Sequence, residues 1–429
     1  MIDDAIAVSQ CGPDSVIVNA LIQSKVEMKN LRLGHSKCFQ MHVGNNKTCC
    51  PILKVHNQDM LTSNRERYLG DIITSDCRIN DNIQERYNKG IGISNQIIGM
   101  LKEISFGQHY FEMAVLFRQS MLINSILCNS EVLYGLSKTH INTLESVDKY
   151  FWRKVFASVI STPVESYYIE TNTLLIRHII MGRRLMYYWN ILQKDDSELV
   201  KKVFNSQKLL PVKNDWFLTI QNDLSACNIT LSEKEITNMK KETFKTLVKQ
   251  KIKILSKEYL ISLRNKHTKS KNLLLENKIK GYLICEQLTT EDKQLLFALK
   301  TRTVDVKTNY KSMFSNLQCR LCNSLAEDES EIHVMKCIKI ISDESLKKQT
   351  ETISYSDIFG SMKQQISAVK ILKKIFKVWK IKLEAEKLSP SGHQAHLLQG
   401  QSASYSCTAA QTVDSTSPDD SNCILYDFG

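Results

Sequence analysis

The sequence predicts an α+β protein that is mainly α-helical. Short β-type runs are confined to residues 1–79. From about Asn80 to Lys300 glycine and proline are scarce, and apolar residues recur at helical spacing. Beyond a compact Cys/His segment, the chain returns to an amphipathic helical pattern over roughly Met362–Lys387.

Taken in order, Ala5–Val8 reads as a strand, and Asp14 to about Leu31 reads as a helix carrying Val16, Leu21, Val26 and Leu31. Cys38–Val43 and Tyr68–Ile73 are again strand-like. In the helical region Met113, Leu116, Phe117 and Met121 share one face. Leu144, Val147 and Phe151 share another, with Asp148 the polar exception. Pro163 and Pro211 are the main interruptions, and Pro163 should separate two helices. Between Lys240 and Lys280 thirteen Lys/Arg face only Glu242, Glu258 and Glu276, which makes a basic helical stretch. The last helix has Ile366, Val369, Leu372, Phe376, Trp379 and Leu383 as its apolar stripe. No Lys or Arg follows Lys387, and Ser389–Asp420, rich in Ser, Thr, Gln and Gly, is expected to be disordered.

A formal net charge of +12 over 429 residues favours an anionic partner, nucleic acid or a membrane surface. A merely solvated surplus is the plain alternative. The most apolar stretches, Met113–Leu127 and Leu174–Met181, are short and broken by Arg118, Arg177 and His178. A spanning helix needs about 20 mostly apolar residues, so no membrane partner is expected. The opening residues hold no basic n-region and no long apolar run, which argues against secretion. Thirteen cysteines, odd in number and scattered, argue against a disulfide framework and for an intracellular, reducing setting.

In such a setting a local Cys/His group points to a metal. Cys319-x2-Cys322-x10-His333-x3-Cys337 has knuckle-like spacing. Two thiolates from one turn grip one side of a tetrahedral ion. His333 and Cys337, four apart, would share a helical face and supply the other two ligands. Glu327-Asp328-Glu329 suit the start of that helix, and Asn323-Ser324 offers the loop a turn. With all four positions filled by protein, the expected ion is a structural zinc. The alternative is three ordinary buried thiols and a surface histidine.

Met1-Ile2-Asp3-Asp4 stands before the strand-like Ala5–Val8. Leu31-Arg32-Leu33-Gly34-His35-Ser36-Lys37-Cys38 follows, then Arg67-Tyr68-Leu69-Gly70-Asp71-Ile72-Ile73, and Leu299–Thr303 and Val306–Tyr310 precede the Cys/His group. In this order the pieces resemble the back part of a LINE-type (non-LTR) retrotransposon reverse transcriptase: the x-x-Asp-Asp box of the palm, the helix-to-strand segment after it, the Tyr-Leu-Gly hairpin that cradles the primer end, and the C-terminal zinc-binding segment. Their order and spacing carry the resemblance, from Met1 to about Ile381.

The resemblance implies a palm remnant over 1–79, a helical thumb and linker over 80–300, a zinc knuckle over 301–345, a C-terminal helix over 346–388 and a disordered tail over 389–429. It implies that Asp3 and Asp4 hold part of a Mg²⁺ cage and that Lys37 protonates the leaving pyrophosphate. Tyr68, Leu69 and Gly70 would contact the primer, and RNA, DNA and, in the complete enzyme, dNTPs would be the partners. Lys249, Lys253 and Lys257, with Arg302, Lys307, Lys311 and Arg320 near the knuckle, are the candidate phosphate contacts. Nuclear location follows from the resemblance alone. The family's cage also takes an aspartate from an earlier palm strand. A chain opening at Met1 is therefore expected to be a truncated RNA-directed DNA polymerase, inactive alone, from a pseudogene or a gene model begun at an internal methionine. The alternative is a nucleic-acid-binding zinc-knuckle protein without catalytic activity, and the plainest reading is a helical scaffold.

Overall fold

The computed structural model describes residues 12–29, 33, 38–43, 51–68, 71–103, 107–324, 326–342 and 344–387. It is mainly helical, 64% helix and 5% strand, with a few small sheets. The expected strand Ala5–Val8 and the tail Ser389–Asp420 lie outside the described residues.

The chain runs α1 (Gly12–Met28), β1 (Phe39–Gln40), β2 (Lys54–Val55), β3 (Gln58–Asp59), β4 (Leu61–Thr62), β5 (Arg65–Tyr68) and β6 (Asp71–Thr74). The long helical part holds α2 (Asn80–Glu103), α3 (Tyr110–Phe117), α4 (Asn124–Ile126), α5 (Lys138–Val155), α6 (Val164–Thr171) and α7 (Ile176–Leu192). It continues with α8 (Leu199–Leu209), α9 (Trp216–Ala226), α10 (Glu233–Asn238), α11 (Lys241–Lys266), α12 (Gly281–Ile284) and α13 (Thr290–Lys300). Then come α14 (Glu331–Lys336), α15 (Glu344–Glu351) and α16 (Met362–Lys387). Residues up to Phe376 form one compact unit, and those from Lys377 belong to a second.

The strands pair as three two-stranded sheets, β1 with β4 in parallel, β2 with β3 and β5 with β6 antiparallel. Tyr68–Ile73 is therefore not one strand: Tyr68 ends β5 and pairs with Asp71, the first residue of β6. Of Cys38–Val43 only Phe39–Gln40 forms strand. The hairpin is tied to α2 by charge. Asp71 pairs with Arg86 and accepts from Asn82 (3.0 Å) and Asn129 (2.9 Å), while Arg65 meets Asp81 at 2.8 Å.

Helix starts follow local chemistry. Ser137, Asp215, Ser232 and Thr289 each accept a backbone N–H from the first turn of α5, α9, α10 and α13. Pro163 stands as N-cap of α6, so it does separate two helices. In α16, Val369 and Leu372 of the expected stripe are buried and Ile366 and Phe376 half-buried. One core group gathers α7, α9 and α11 residues, among them Leu185, Tyr188, Ile220, Phe244 and Val248. Another is aromatic: Phe111, Phe156, Tyr167 and Phe297 follow one another in ring contact, the Phe156 and Phe297 centroids 4.1 Å apart.

One expected face is rotated. Leu116 is 54% exposed and Met113, Phe117 and Met121 only half-buried, whereas Phe111, Ala114, Arg118 and Leu122 are buried. Arg118 turns inward because Asp148, itself fully buried, receives its guanidinium at 2.7 Å, and Tyr168 donates to the same carboxylate at 2.9 Å. Burial works against the Arg118 charge, and Asp148 more than restores it.

Helices α2 and α5 approach closely at Gly90, where a Cβ would lie 2.6 Å from Val147 Cγ1 and 2.8 Å from Ile126 Cγ2. Gly90→Ala is thus expected to destabilise the fold by about 1–3 kcal/mol through overpacking, although alanine is the better helix former. Urea unfolding checks this, and a gain in stability would contradict the close approach. Among the described residues no helix is long and apolar enough to cross a membrane.

Candidate metal centre

Cys319, Cys322, His333 and Cys337 bring one donor atom each to within 4.8 Å of one another. Cys319 and Cys337 are buried, with their sulfurs 3.8 Å apart, too far for a disulfide. Cys322 Sγ lies 3.4 Å from His333 Nε2. The four could hold one metal ion.

Local sequence explains the arrangement. The backbone N–H groups of Leu321 and Cys322 point to Cys319 Sγ at 3.4 and 3.5 Å, as a tight turn brings them round. Asn323 closes that turn with a left-handed φ of 51°, which asparagine tolerates. Ser330 caps α14 by accepting from His333 N at 3.1 Å. Helix α14 ends at Lys336, so Cys337 does not share a helical face with His333 as the spacing suggested. Cys337 is the C-cap, with extended backbone (φ −62°, ψ 117°), and from there its sulfur meets Cys319.

The acidic triplet is ahead of the helix rather than in its first turn, and two of its members have separate work. Glu327 Oε2 accepts from His333 Nδ1 at 3.0 Å, which leaves Nε2 facing the sulfurs. Glu329 is fully buried and accepts from Arg320 N and Nε (2.7 and 2.9 Å) and from Lys307 N (3.0 Å). It thereby staples the cysteine turn to the segment before it. Sequence reading missed both roles; the only signal was the triplet itself.

The two buried sulfurs shift one another in opposite directions. The hydrogen bond with Cys337, aided by the backbone N–H groups, pulls the Cys319 thiol down to about 4, while Cys319 and burial push Cys337 upward. Burial disfavours the charged form of His333, but Glu327 and Cys319 carry it above its usual value.

The other candidate residues are spread out. Asp3, Asp4, Lys37, Leu69 and Gly70 lie outside the described residues, and Tyr68 is half-buried at the end of β5. Lys249, Lys253 and Lys257 form an exposed row on α11 beside the buried row Phe244, Val248, Ile252 and Leu260. Arg302 is exposed with a φ of 50°, and Lys311 is exposed. Lys307 Nζ donates to Asn316 at 3.0 Å, and Arg320 is paired with Glu329 and Asp305. A scan against protein-family models, a search of curated proteins and a search of solved structures each return no match.

Proposed function

We propose that the Cys/His group is a structural zinc knuckle, and that the chain is the thumb and zinc-binding part of a LINE-type reverse transcriptase, contacting RNA and DNA through their backbones. The observation that carries the zinc reading is His333, whose Nδ1 is engaged by Glu327 while Nε2 faces Cys322. A carboxylate on the far ring nitrogen is the usual support for a metal-ligating histidine. Distances agree. Zn–S bonds of about 2.3 Å in a tetrahedron set sulfurs about 3.8 Å apart, and a Zn–N bond of about 2.0 Å sets sulfur and nitrogen about 3.5 Å apart. The protein has 3.8 and 3.4 Å. Zinc with no open position supplies folding free energy and no reaction step.

The family reading rests on the ordered sequence pieces together with this knuckle and the β5–β6 hairpin. Polymerase chemistry rests on Asp3, Asp4 and Lys37 by sequence resemblance alone. Primer extension with Mg²⁺ separates a polymerase from a protein that only binds nucleic acid.

Nucleic-acid contact is supported by the row on α11, where three cations at four-residue spacing stand exposed. Replacing Lys249, Lys253 and Lys257 by glutamine should weaken single-stranded RNA binding roughly tenfold at low salt. It should also flatten the salt dependence by about 2 in log–log slope, at about 0.7 per phosphate. Fluorescence titration over a salt series measures both. Unchanged affinity and slope would make the row a solvated face.

A further inference from the structure

A cavity of about 580 Å³ opens where the later turns of α5, the loop leading into α6 and the end of α11 meet. Lys149, Ser161, Thr162, Glu165, His267 and Lys269 are among its lining residues. Its size falls within the range of about 300–1,000 Å³ typical of small-ligand sites.

Its cations make no ion pair among the described residues, although Glu165 lines the same cavity and Glu331 lies near enough to support the Lys269 charge. Lys149 makes no hydrogen bond or ion pair among the described residues. Among the described residues Lys269 donates only to Ser161 Oγ, at 3.3 Å, and it sits over the Tyr310 ring at 4.7 Å. Glu165 already accepts from Ser270, and Glu331, the other nearby carboxylate, accepts from Asn309. Burial, and then the charge of Arg153, lowers Lys149; burial, and then Arg302, lowers Lys269, with Glu331 opposing. Thr162 is 2% exposed, and its Oγ1, near the Tyr167 phenol, makes no hydrogen bond of normal geometry. Helix α6 begins in the cavity wall, and Pro163 gives its first N–H groups no side-chain acceptor. Ammonium groups, hydroxyls and a helix start together suit a multi-oxygen anion.

We propose that this cavity holds one phosphodiester group of a nucleic-acid strand, gripped by Lys149 and Lys269 with the Ser161 and Thr162 hydroxyls as further donors. The assignment rests on the reading of the chain as a nucleic-acid binder. A strand is favoured over free phosphate because Leu263, in the cavity wall, follows Lys257 of the exposed row on the same helix. Six residues set them about 9 Å apart along α11 and about a third of a turn apart around it, so a strand leaving the row reaches the cavity by wrapping the end of the helix.

The test is an amine-acylation footprint of the full, zinc-loaded chain with and without a short labelled single-stranded RNA, read by mass spectrometry. A Lys149→Gln/Lys269→Gln variant is titrated alongside. RNA should shield both lysines, and the variant should bind roughly tenfold more weakly, with a salt slope lower by about 0.7, the share of one phosphate. RNA bound tightly while both lysines still react overturns the cavity and leaves the nucleic-acid reading standing. No RNA binding by the unaltered chain overturns both. Inorganic phosphate that shields the pair as well as RNA does, at equal concentration, overturns the strand in favour of a free-phosphate site. The footprint decides even if the variant melts early.

Discussion

Replacing Cys322 with serine should release one zinc per chain and loosen residues 317–341, while the helices from α2 to α11 stay folded. The segment holds few buried apolar residues of its own, Leu321, Val334 and Ile340 among them. Metal ligation supplies free energy of order 10 kcal/mol in small zinc modules, and most of it is lost when a thiolate becomes a neutral hydroxyl. Hydrogen exchange should rise at Arg320 N and Glu329 N, whose bonds to Glu329 Oε2 and Leu317 O (2.7 and 2.6 Å) brace the turn. Acid should have the same effect. Protons compete with the ion for the thiolates and for His333 Nε2, and the His333 ring holds its proton above the usual histidine range. Zinc affinity should therefore fall as pH drops, with His333 taking up its proton at a pH above the ordinary histidine value of about 6.5. Metal analysis and exchange mass spectrometry read this, and an unaltered chain that purifies zinc-free with these amides protected ends the zinc reading.

Asp148→Ala should cost about 3–5 kcal/mol of stability, the largest effect expected of any single helical-region substitution. It strands the Arg118 guanidinium, 1% exposed, among apolar side chains and removes the acceptor of the Tyr168 hydroxyl. Arg118 would keep one hydrogen bond among the described residues, to the Leu174 carbonyl at 2.9 Å, and its place over the Trp152 and Tyr168 rings. Replacing both charges, as Arg118→Met with Asp148→Leu, should restore part of the loss, since no charge is then left unpaired in the core. Guanidinium unfolding measures both variants. A near-neutral Asp148→Ala would mean that water reaches the arginine.

Much of the helical layout was legible because helical spacing repeats over many turns. The limits of α16, the start of α2 and the break at Pro163 follow from apolar period and proline chemistry. The strands were read less well, for at two to four residues they carry too few alternations to define a period. The face of α3 was misread because Arg118 is drawn inward by Asp148, thirty residues on, and local pattern carries no trace of such a pair. The Cys/His group that could hold an ion was legible from spacing. Glu327 and Glu329 could not, since an acidic triplet before a helix reads the same whether it faces solvent or folds under. The cavity stayed hidden for a plainer reason: Lys149, Thr162 and Lys269 come from three distant stretches.

The aromatic contact of Phe297 with Phe156 and Tyr167 bears on how such a chain can be cut and rejoined. Phe297 belongs to α13, which ends at Lys300, just ahead of the Cys/His segment. Gln294 also donates to the Val155 carbonyl at 2.9 Å, and Tyr355, beyond the knuckle, donates to the Leu299 carbonyl at 2.8 Å. A crossover placed anywhere in 281–300 would therefore bare the rings of Phe156 and Tyr167 on one product and deprive the other of its anchoring helix. For recombination, whether in a genome or in a chimaera made at the bench, the helical array and the Cys/His segment make up one heritable block, with its usable seams outside 65–373.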